Sequence, residues 1–278
     1  MQVTLVAQDL SALGQLSMGI ALPIFRAVNL PTIAAPTTIY STQTEEFGQP
    51  VVQDMQNWLK AAYLHWQTIS DLTINNVLIG YIGHANMVGQ IGSMVQQLQP
   101  QTILLDPVMG DQGALYPGFD QTYVTAMQAL MLDATILTPN WTEAQLLTKQ
   151  PIKLKPSDQD ILQTLTILTT KNQAMRVIIT GIERDNNVGV AYLEESTNEL
   201  AFIWQKKVAG HFYGTGDAFS ALLSMYLQRA KNLTIALEKT MAALTIVIAE
   251  NNVSCVKERK YGLQIRQLLG YLANEEEV

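Results

Sequence analysis

An α/β fold with a mainly parallel sheet and helices on both faces is what this sequence predicts. Short β-rich runs alternate with amphipathic segments along most of the chain, the rhythm of strands joined by crossover helices. The runs are mostly apolar, as expected of strands covered on both faces. Polar and acidic residues follow directly after the runs, and an open parallel sheet binds its ligands beyond the carboxyl ends of its strands.

In order, Val3–Val6, Thr32–Ala35, Val77–Tyr81, Thr102–Leu105, Thr135–Leu137 and Val177–Ile179 read as buried strands. A helix is expected over Val51–Gln67, where Val52, Met55, Leu59, Ala62 and Tyr63 recur at helical spacing. A second spans Val88–Leu98 through Ile91, Val95 and Leu98. A third covers Ser157–Thr169, opening on the cap-like Ser157-x-x-Asp160 before Ile161, Leu165 and Leu168 line one face. Val188–Leu193 and Leu200–Gln205, separated by Glu194–Glu199, read as a hairpin. Asp217–Arg229, Leu233–Val253 and Leu263–Leu269 read as closing helices. Pro31, Pro36 and Pro50 bracket a region with room for a small excursion, and no internal repeat or linker interrupts the pattern.

The 278 residues, 48% hydrophobic, suffice for one large α/β domain or two small ones. Net charge is −7 and no basic run occurs, which argues against nucleic acid or an anionic membrane as partner. The single cysteine, Cys255, excludes a disulfide framework and a cysteine metal site. The start of the chain lacks the apolar run of a signal peptide, and stretches such as Ala242–Ala249 are too short to span a bilayer. A cytoplasmic protein is the expectation.

The chemistry concentrates at three places. Gly214-Thr215-Gly216-Asp217 opens an apolar helical run. Glycines uncover backbone N–H groups, and a helix start adds unpaired N–H donors and a positive dipole end, which together cradle an anion. A carboxylate at Asp217 fits that cradle as an acceptor for the proton of an attacking hydroxyl; alternatively it is a plain cap. Asp106 and Asp111 form an acid pair across Pro107 and Gly110. They suit Mg²⁺, which takes hard oxygen ligands, or simply mark a turn. Asn140 and Glu143 share a face at a helix start, able to hold metal-bound waters or to cap the helix. His84 and His211 have no Ser or Cys elbow to make a hydrolase triad. Gly210–Gly216 makes a weak dinucleotide fingerprint, late in the chain and without the acidic residue after a second strand, and no Gly-x-x-x-x-Gly-Lys-Ser/Thr loop exists.

Together these motifs resemble the ribokinase superfamily, and within it the vitamin B6 branch, the pyridoxal/pyridoxamine kinases. The matching segments are Asp106-Pro107-Val108-Met109-Gly110-Asp111 with Gly113 and Leu115-Tyr116, Thr138-Pro139-Asn140 with Glu143-Ala144, and Gly214-Thr215-Gly216-Asp217. Asp9-Leu10-Ser11, Gly14 and Ser17 resemble the opening of a bacterial pyridoxamine kinase subgroup, and Ser41-Thr42-Gln43-Thr44 with Phe47-Gly48 its vitamin-contacting segment. The matches run in order from about residue 3 to 230. The resemblance implies a single ribokinase-like domain over 1–278, a three-layer α/β/α sandwich. It implies ATP with Mg²⁺ and phosphoryl transfer to the 5′-hydroxymethyl group of a pyridine. Asp217 would be the base, and the N–H groups of Gly214, Thr215, Gly216 and Asp217 would stabilise the migrating group. Asp106 and Glu143 would organise Mg²⁺, with Asn140 and Thr180 near the phosphates. Asp9, Thr44 and Tyr81 would line the vitamin pocket. A homodimer is implied as well.

The chain departs from the subgroup on the vitamin side. Ser11-Ala12-Leu13-Gly14-Gln15 stands where Ser-Gly-x-Gly-Arg is usual, and Glu45-Glu46 where two small residues often follow Thr44. The Gly-Ser-Asp-x-Ser-Gly-Gly-Ala-Gly opening of hydroxymethylpyrimidine kinases has no counterpart. The expectation is therefore an ATP-dependent kinase of B6 vitamers. The alternatives are a kinase of a hydroxymethylpyrimidine or another small alcohol, a vitamer- or nucleotide-binding protein with little catalysis, or a dehydrogenase using the Gly210–Gly216 stretch.

Overall fold

Seven consecutive buried residues, Val3–Asp9, form the heart of the first strand, β1 (Gln2–Ser11). A strand so completely covered needs a neighbour on each edge and packing on each face. In the computed structural model, which describes residues 1–44, 46–252 and 256–275, β1 has both edges paired. It runs parallel to β2 (Thr32–Tyr40) on one side and to β4 (Thr73–Ile79) on the other. The chain divides into two compact units, residues 1–83 with 208–278, and residues 84–207.

In the first unit β1 is followed by α1 (Met18–Ala27). The sequence pattern marks no element there, for two reasons. Apolar residues crowd most of the segment, and Pro23 removes a helical hydrogen bond from its middle. Met18, Ile20, Ala21, Ile24 and Phe25 are nevertheless buried, so packing outweighs the loss. The helix expected from Val51 is a correction. Val52–Asp54 instead form β3, antiparallel to Thr38–Tyr40 of β2, and α2 runs only from Gln56 to Trp66. Asp54 accepts the Gln56 N–H at 2.7 Å, so the helix begins beyond it, and the β-branched Val51-Val52 pair is left extended.

The second unit begins with α3 (Ala85–Leu98) and β5 (Thr102–Leu105). A small hairpin follows, β6 (Gly110–Asp111) and β7 (Ala114–Leu115). A Cβ on Gly110 would lie 2.3 Å from the Ala114 carbonyl oxygen, so the close approach of these strands requires glycine. Then come α4 (Gln121–Leu130), which the periodicity also missed, β8 (Ile136–Leu137), α5 (Trp141–Thr148) and α6 (Asp158–Lys171). The expected cap opens α6: Ser157 Oγ accepts the Asp160 N–H, and the Asp160 carboxylate accepts the Ser157 N–H at 2.7 Å. β9 (Arg176–Arg184) leads into the expected hairpin of β10 (Asn187–Leu193) and β11 (Leu200–Lys206). In this unit β5, β8 and β9 are parallel, and β9, β10 and β11 antiparallel.

The chain returns to the first unit with α7 (Thr215–Leu227), α8 (Leu233–Asn252) and α9 (Arg266–Asn274). Val253, the expected end of α8, lies outside the described residues. Each expected strand exists; Thr102–Leu105 has the expected bounds, and the others differ by a few residues at one or both ends.

Leu5 is fully buried in the doubly paired strand β1. Truncating such a residue removes apolar contact and leaves a cavity. Leu5→Ala is expected to lower unfolding free energy by about 2–5 kcal/mol, measured by urea denaturation. A loss below about 1 kcal/mol would contradict the central position of β1.

Candidate active site

In the first unit β1 carries Asp9 to its carboxyl end. The residue is 6% exposed, and its N–H donates to the Tyr81 carbonyl at 3.0 Å. Asp9 Oδ2 receives the Ser11 hydroxyl at 3.5 Å, while Oδ1 is buried without a hydrogen-bond partner. Burial pushes its carboxyl up to about 7, and the nearby Asp217 charge adds to the rise; the Ser17 hydroxyl pulls in the opposite direction. Tyr40 and Tyr81 meet edge to face, with centroids 6.2 Å apart. The Tyr40 phenol is also raised, by burial first and by the Asp9 charge. Beside Asp9 in sequence, Gln8 is fully buried with neither amide atom partnered, and a Cβ on Gly80 would fall 2.5 Å from its Nε2.

The start of α7 is shaped by Gly214, at φ +92°, where a Cβ would meet Ile20 Cδ1 at 2.7 Å. The first helical bond joins the Ala218 N–H to the Gly214 carbonyl at 2.9 Å. Thr215 turns its N–H and hydroxyl to the Phe212 carbonyl. Gly216 and Asp217 therefore hold their N–H groups in the first turn, where no helical acceptor exists. The Asp217 carboxylate accepts the Ser17 N–H at 2.8 Å. Burial lifts its carboxyl to about 6 against the pull of the Ser17 N–H and hydroxyl. Ser17 itself sits at φ 43°, ψ −119°, a conformation that side chains other than glycine rarely adopt.

The structure thus draws Asp9, Tyr81 and Asp217 into one neighbourhood. Thr44 is exposed on the connection between β2 and β3. The buried side chain of that segment is Gln43, whose amide donates to the Lys260 carbonyl. Glu46 accepts from the Tyr213 hydroxyl at 3.4 Å, and Glu45 lies outside the described residues.

In the second unit the acids sit at the ends of β5 and β8. Asp106 is 7% exposed and Glu143 2%. Asn140 caps α5: its Oδ1 accepts the Glu143 N–H at 3.0 Å, and Glu143 Oε2 accepts the Asn140 N–H at 2.8 Å. Glu143 Oε1 accepts the Met109 N–H at 3.0 Å, and Asn140 Nδ2 donates to the Gly110 carbonyl at 2.7 Å. Thr180 lies alongside, bridged to Asn140, with its N–H on the Pro139 carbonyl at 2.8 Å. Burial, then the Asp106 charge, holds the Glu143 carboxyl well above its ordinary value. The acid pair is therefore Asp106 with Glu143. Asp111, which the spacing pairs with Asp106, accepts the neighbouring Gln112 N–H at 2.7 Å instead.

Among the described residues no group of three or more His, Cys, Asp or Glu is placed to hold a metal. Mg²⁺ needs only one or two carboxylates beside substrate phosphates. Two buried acids that raise each other's energy fit such an ion, because a divalent cation relieves their repulsion. Asn140 and Glu143 form the helix cap, and that role leaves room for the metal-bound waters that the spacing also allowed. The sequence reading missed the contact of Ser17 with Asp217, since nothing in a serine codon position signals a left-handed turn.

Carboxyls raised on folding destabilise the native state as pH rises from the unfolded value toward the folded one. Asp9, ordinarily near 3.8 and here about 7, should weaken the fold progressively between pH 4 and 7. Asp9→Asn is expected to gain stability over wild type at pH 7.5 relative to pH 4.5 by more than about 1.4 kcal/mol, the worth of one pKa unit. Urea midpoints at the two pH values check this; equal differences at both would mean Asp9 is not held in a desolvated site.

A phosphomethylpyrimidine kinase family model matches residues 24–260. Pyridoxal kinase from Lactobacillus plantarum superposes with a TM-score of 0.91 at 33% identity, over 97% of this chain and 96% of that one. Human pyridoxal kinase is 26% identical, covering 78% of this chain and 80% of its own length. A putative pyridoxal kinase of Caenorhabditis elegans is 28% identical over 65% of this chain, which spans 59% of that relative. The superposition carries the ribokinase-like α/β fold.

Proposed function

The chain belongs to the phosphomethylpyrimidine kinase family, and we propose that it transfers the γ-phosphoryl group of ATP to the 5′-hydroxymethyl group of a B6 vitamer. The observation that carries the reading is Asp217: a carboxylate in the first turn of α7, aimed by the Ser17 N–H and raised to about 6. A base works best when its pKa approaches the operating pH while it stays mostly ionised. The human relative is a pyridoxal kinase and the Caenorhabditis elegans one a putative pyridoxal kinase, which favours a pyridine over a pyrimidine acceptor.

In this reading Asp217 takes the proton of the acceptor hydroxyl as the oxygen attacks phosphorus. The N–H groups of Gly214, Gly216 and Asp217 stabilise the charge spread over the migrating phosphoryl group, and Thr215, whose N–H turns to the Phe212 carbonyl, holds the turn in shape. Asp9 meets a donor of the acceptor ring with its free Oδ1, Tyr81 packs beside it, and Thr44, on the connection after β2, lines the same pocket. Mg²⁺, held through Asp106 and Glu143, would neutralise phosphate charge. Asn140 holds Glu143 in place and Thr180 stands beside it. One kinase domain over residues 1–278, a homodimer and a cytoplasmic location complete the proposal. No helix among the described residues is long and apolar enough to cross a membrane.

The test is ATP consumption with pyridoxal, pyridoxine, pyridoxamine and hydroxymethylpyrimidine as acceptors. Turnover of the pyrimidine alone would overturn the vitamer assignment.

Asp217→Asn keeps the shape of the turn and removes the base. Its kcat is expected to fall by ~10²–10⁴-fold with little change in the KM for ATP. A variant retaining more than about a tenth of wild-type kcat would remove Asp217 from this role. Glu143→Gln should raise the Mg²⁺ concentration giving half-maximal activity at saturating ATP, because a neutral amide is a poorer ligand for a hard cation. Identical metal titrations for the two proteins would make Glu143 a cap only.

A further inference from the structure

We propose that Arg259 is a positioning residue for the anion cradle: stacked on Phe212, it fixes the carbonyl to which Thr215 is tied and thereby sets the direction of the Gly216 and Asp217 N–H groups. The inference rests on the kinase reading above and adds to it a residue that acts through another.

The contacts that carry it all lie within the first unit. Arg259 belongs to a short 3₁₀ helix, Val256–Tyr261, between α8 and α9. Its guanidinium carbon lies 4.2 Å from the centroid of the Phe212 ring, within the range at which a ring face attracts a cation. The guanidinium also lies against Gly210. A Cβ there would fall 2.0 Å from Arg259 Nη1, and the Gly210 backbone stands at φ +119°. Only glycine meets both conditions. Arg259 Nε is buried without a hydrogen-bond partner, so the Phe212 ring and the Gly210 backbone define where the guanidinium sits. Arg259 thus holds two residues of the turn that leads into α7.

Phe212 passes that restraint to the cradle. Its carbonyl accepts both the Thr215 N–H at 3.3 Å and the Thr215 hydroxyl at 2.7 Å. Those bonds fix the first residue of α7, and the two N–H groups that follow take their direction from it. The support behind Arg259 is firm. The Gln15 N–H donates to the Tyr261 carbonyl at 2.7 Å, and the Leu263 N–H to the Gln15 carbonyl at 3.1 Å. A Cβ on Gly262 would fall 1.9 Å from that Gln15 oxygen. The neighbouring cation is engaged elsewhere: Lys260 lies over the Phe47 ring at 4.7 Å and the Tyr261 ring at 5.5 Å. Donors that stabilise a migrating group act only when aimed at the place where charge develops. A loosened Phe212 carbonyl therefore costs rate rather than ground-state binding.

Arg259→Met removes the stacked cation. Its kcat is expected to fall about tenfold or more, with the KM values for ATP and for pyridoxal each within about threefold of wild type. Phe212→Leu removes the ring and keeps the carbonyl. It should cause a similar fall, and combining the two should cost little beyond either alone. Arg259→Lys, a cation without the plane, should lie between wild type and Arg259→Met. In the substrate-free protein, deuterium exchange of the Thr215 amide should quicken by about tenfold or more in Arg259→Met, while the Leu222 amide, further along α7, keeps its rate. An unchanged kcat, single effects that multiply in the double variant, or equal quickening at Thr215 and Leu222 would overturn the proposal. A rise confined to the KM for ATP would overturn it too, because Arg259 would then contact phosphate itself. If Arg259→Met does not fold, Arg259→Lys gives the same readouts. Should the wild type turn over no vitamer, or Asp217→Asn stay active, the kinase reading fails instead, and the exchange rates still decide whether Arg259 fixes the turn.

Discussion

Carboxylates placed where water is scarce impose the central constraint on this molecule. The buried charged side chains among the described residues are all acids, Asp9, Asp106 and Glu143, and no Lys, Arg or His is buried with them. A buried anion without a cation must be satisfied by hydrogen-bond donors or give up its charge. Backbone N–H groups supply much of the compensation. Met109 and Asn140 donate to Glu143, and Ser17 donates to Asp217. These donors are free because they belong to turns after strands and to helix starts, where the regular ladders of hydrogen bonds end. Parallel strands place such ends side by side, so the architecture and the electrostatics have one cause.

The compensation is incomplete, and that incompleteness is chemically useful. Full satisfaction would hold every carboxyl low and inert. Here burial wins over the donors at Asp9, Glu143 and Asp217, and all three are raised. Asp9 even keeps one oxygen bare. Groups of this kind gain from a cation or a donor brought by a ligand, so stability given up in folding returns as affinity. Asn140 is the counterexample: its amide oxygen and nitrogen are both engaged within the fold, which makes it a fixed support.

Much of this was readable from sequence because local rules agreed with the global outcome. Gly214-Thr215-Gly216-Asp217 announced a turn and a helix start, and Gly214 does sit at positive φ. Ser157-x-x-Asp160 announced a cap that forms. The failures came where tertiary contact overrode a local signal. Pro23 masked α1, whose apolar residues are secured by burial. Val52 counted toward a helical stripe yet pairs with Tyr40 across a strand edge. Asp111 sat at a tempting distance from Asp106, but its carboxylate serves its own turn, and Glu143, 37 positions beyond Asp106, carries the repulsion with it. Ser17 meets Asp217 over a separation that no periodicity records.

The capping box of α5 has a consequence for how the acid pair is observed. The Met109 and Asn140 amides both donate to Glu143, one to each oxygen. Protonating Glu143 weakens one or both bonds at once, because a carboxylic acid is a poorer acceptor than a carboxylate. Exchange of those two amide hydrogens with deuterium, or their proton chemical shifts, therefore reports the charge on Glu143 directly. The backbone of the second unit carries its own indicator of whether the acid is ionised, readable without any substrate present.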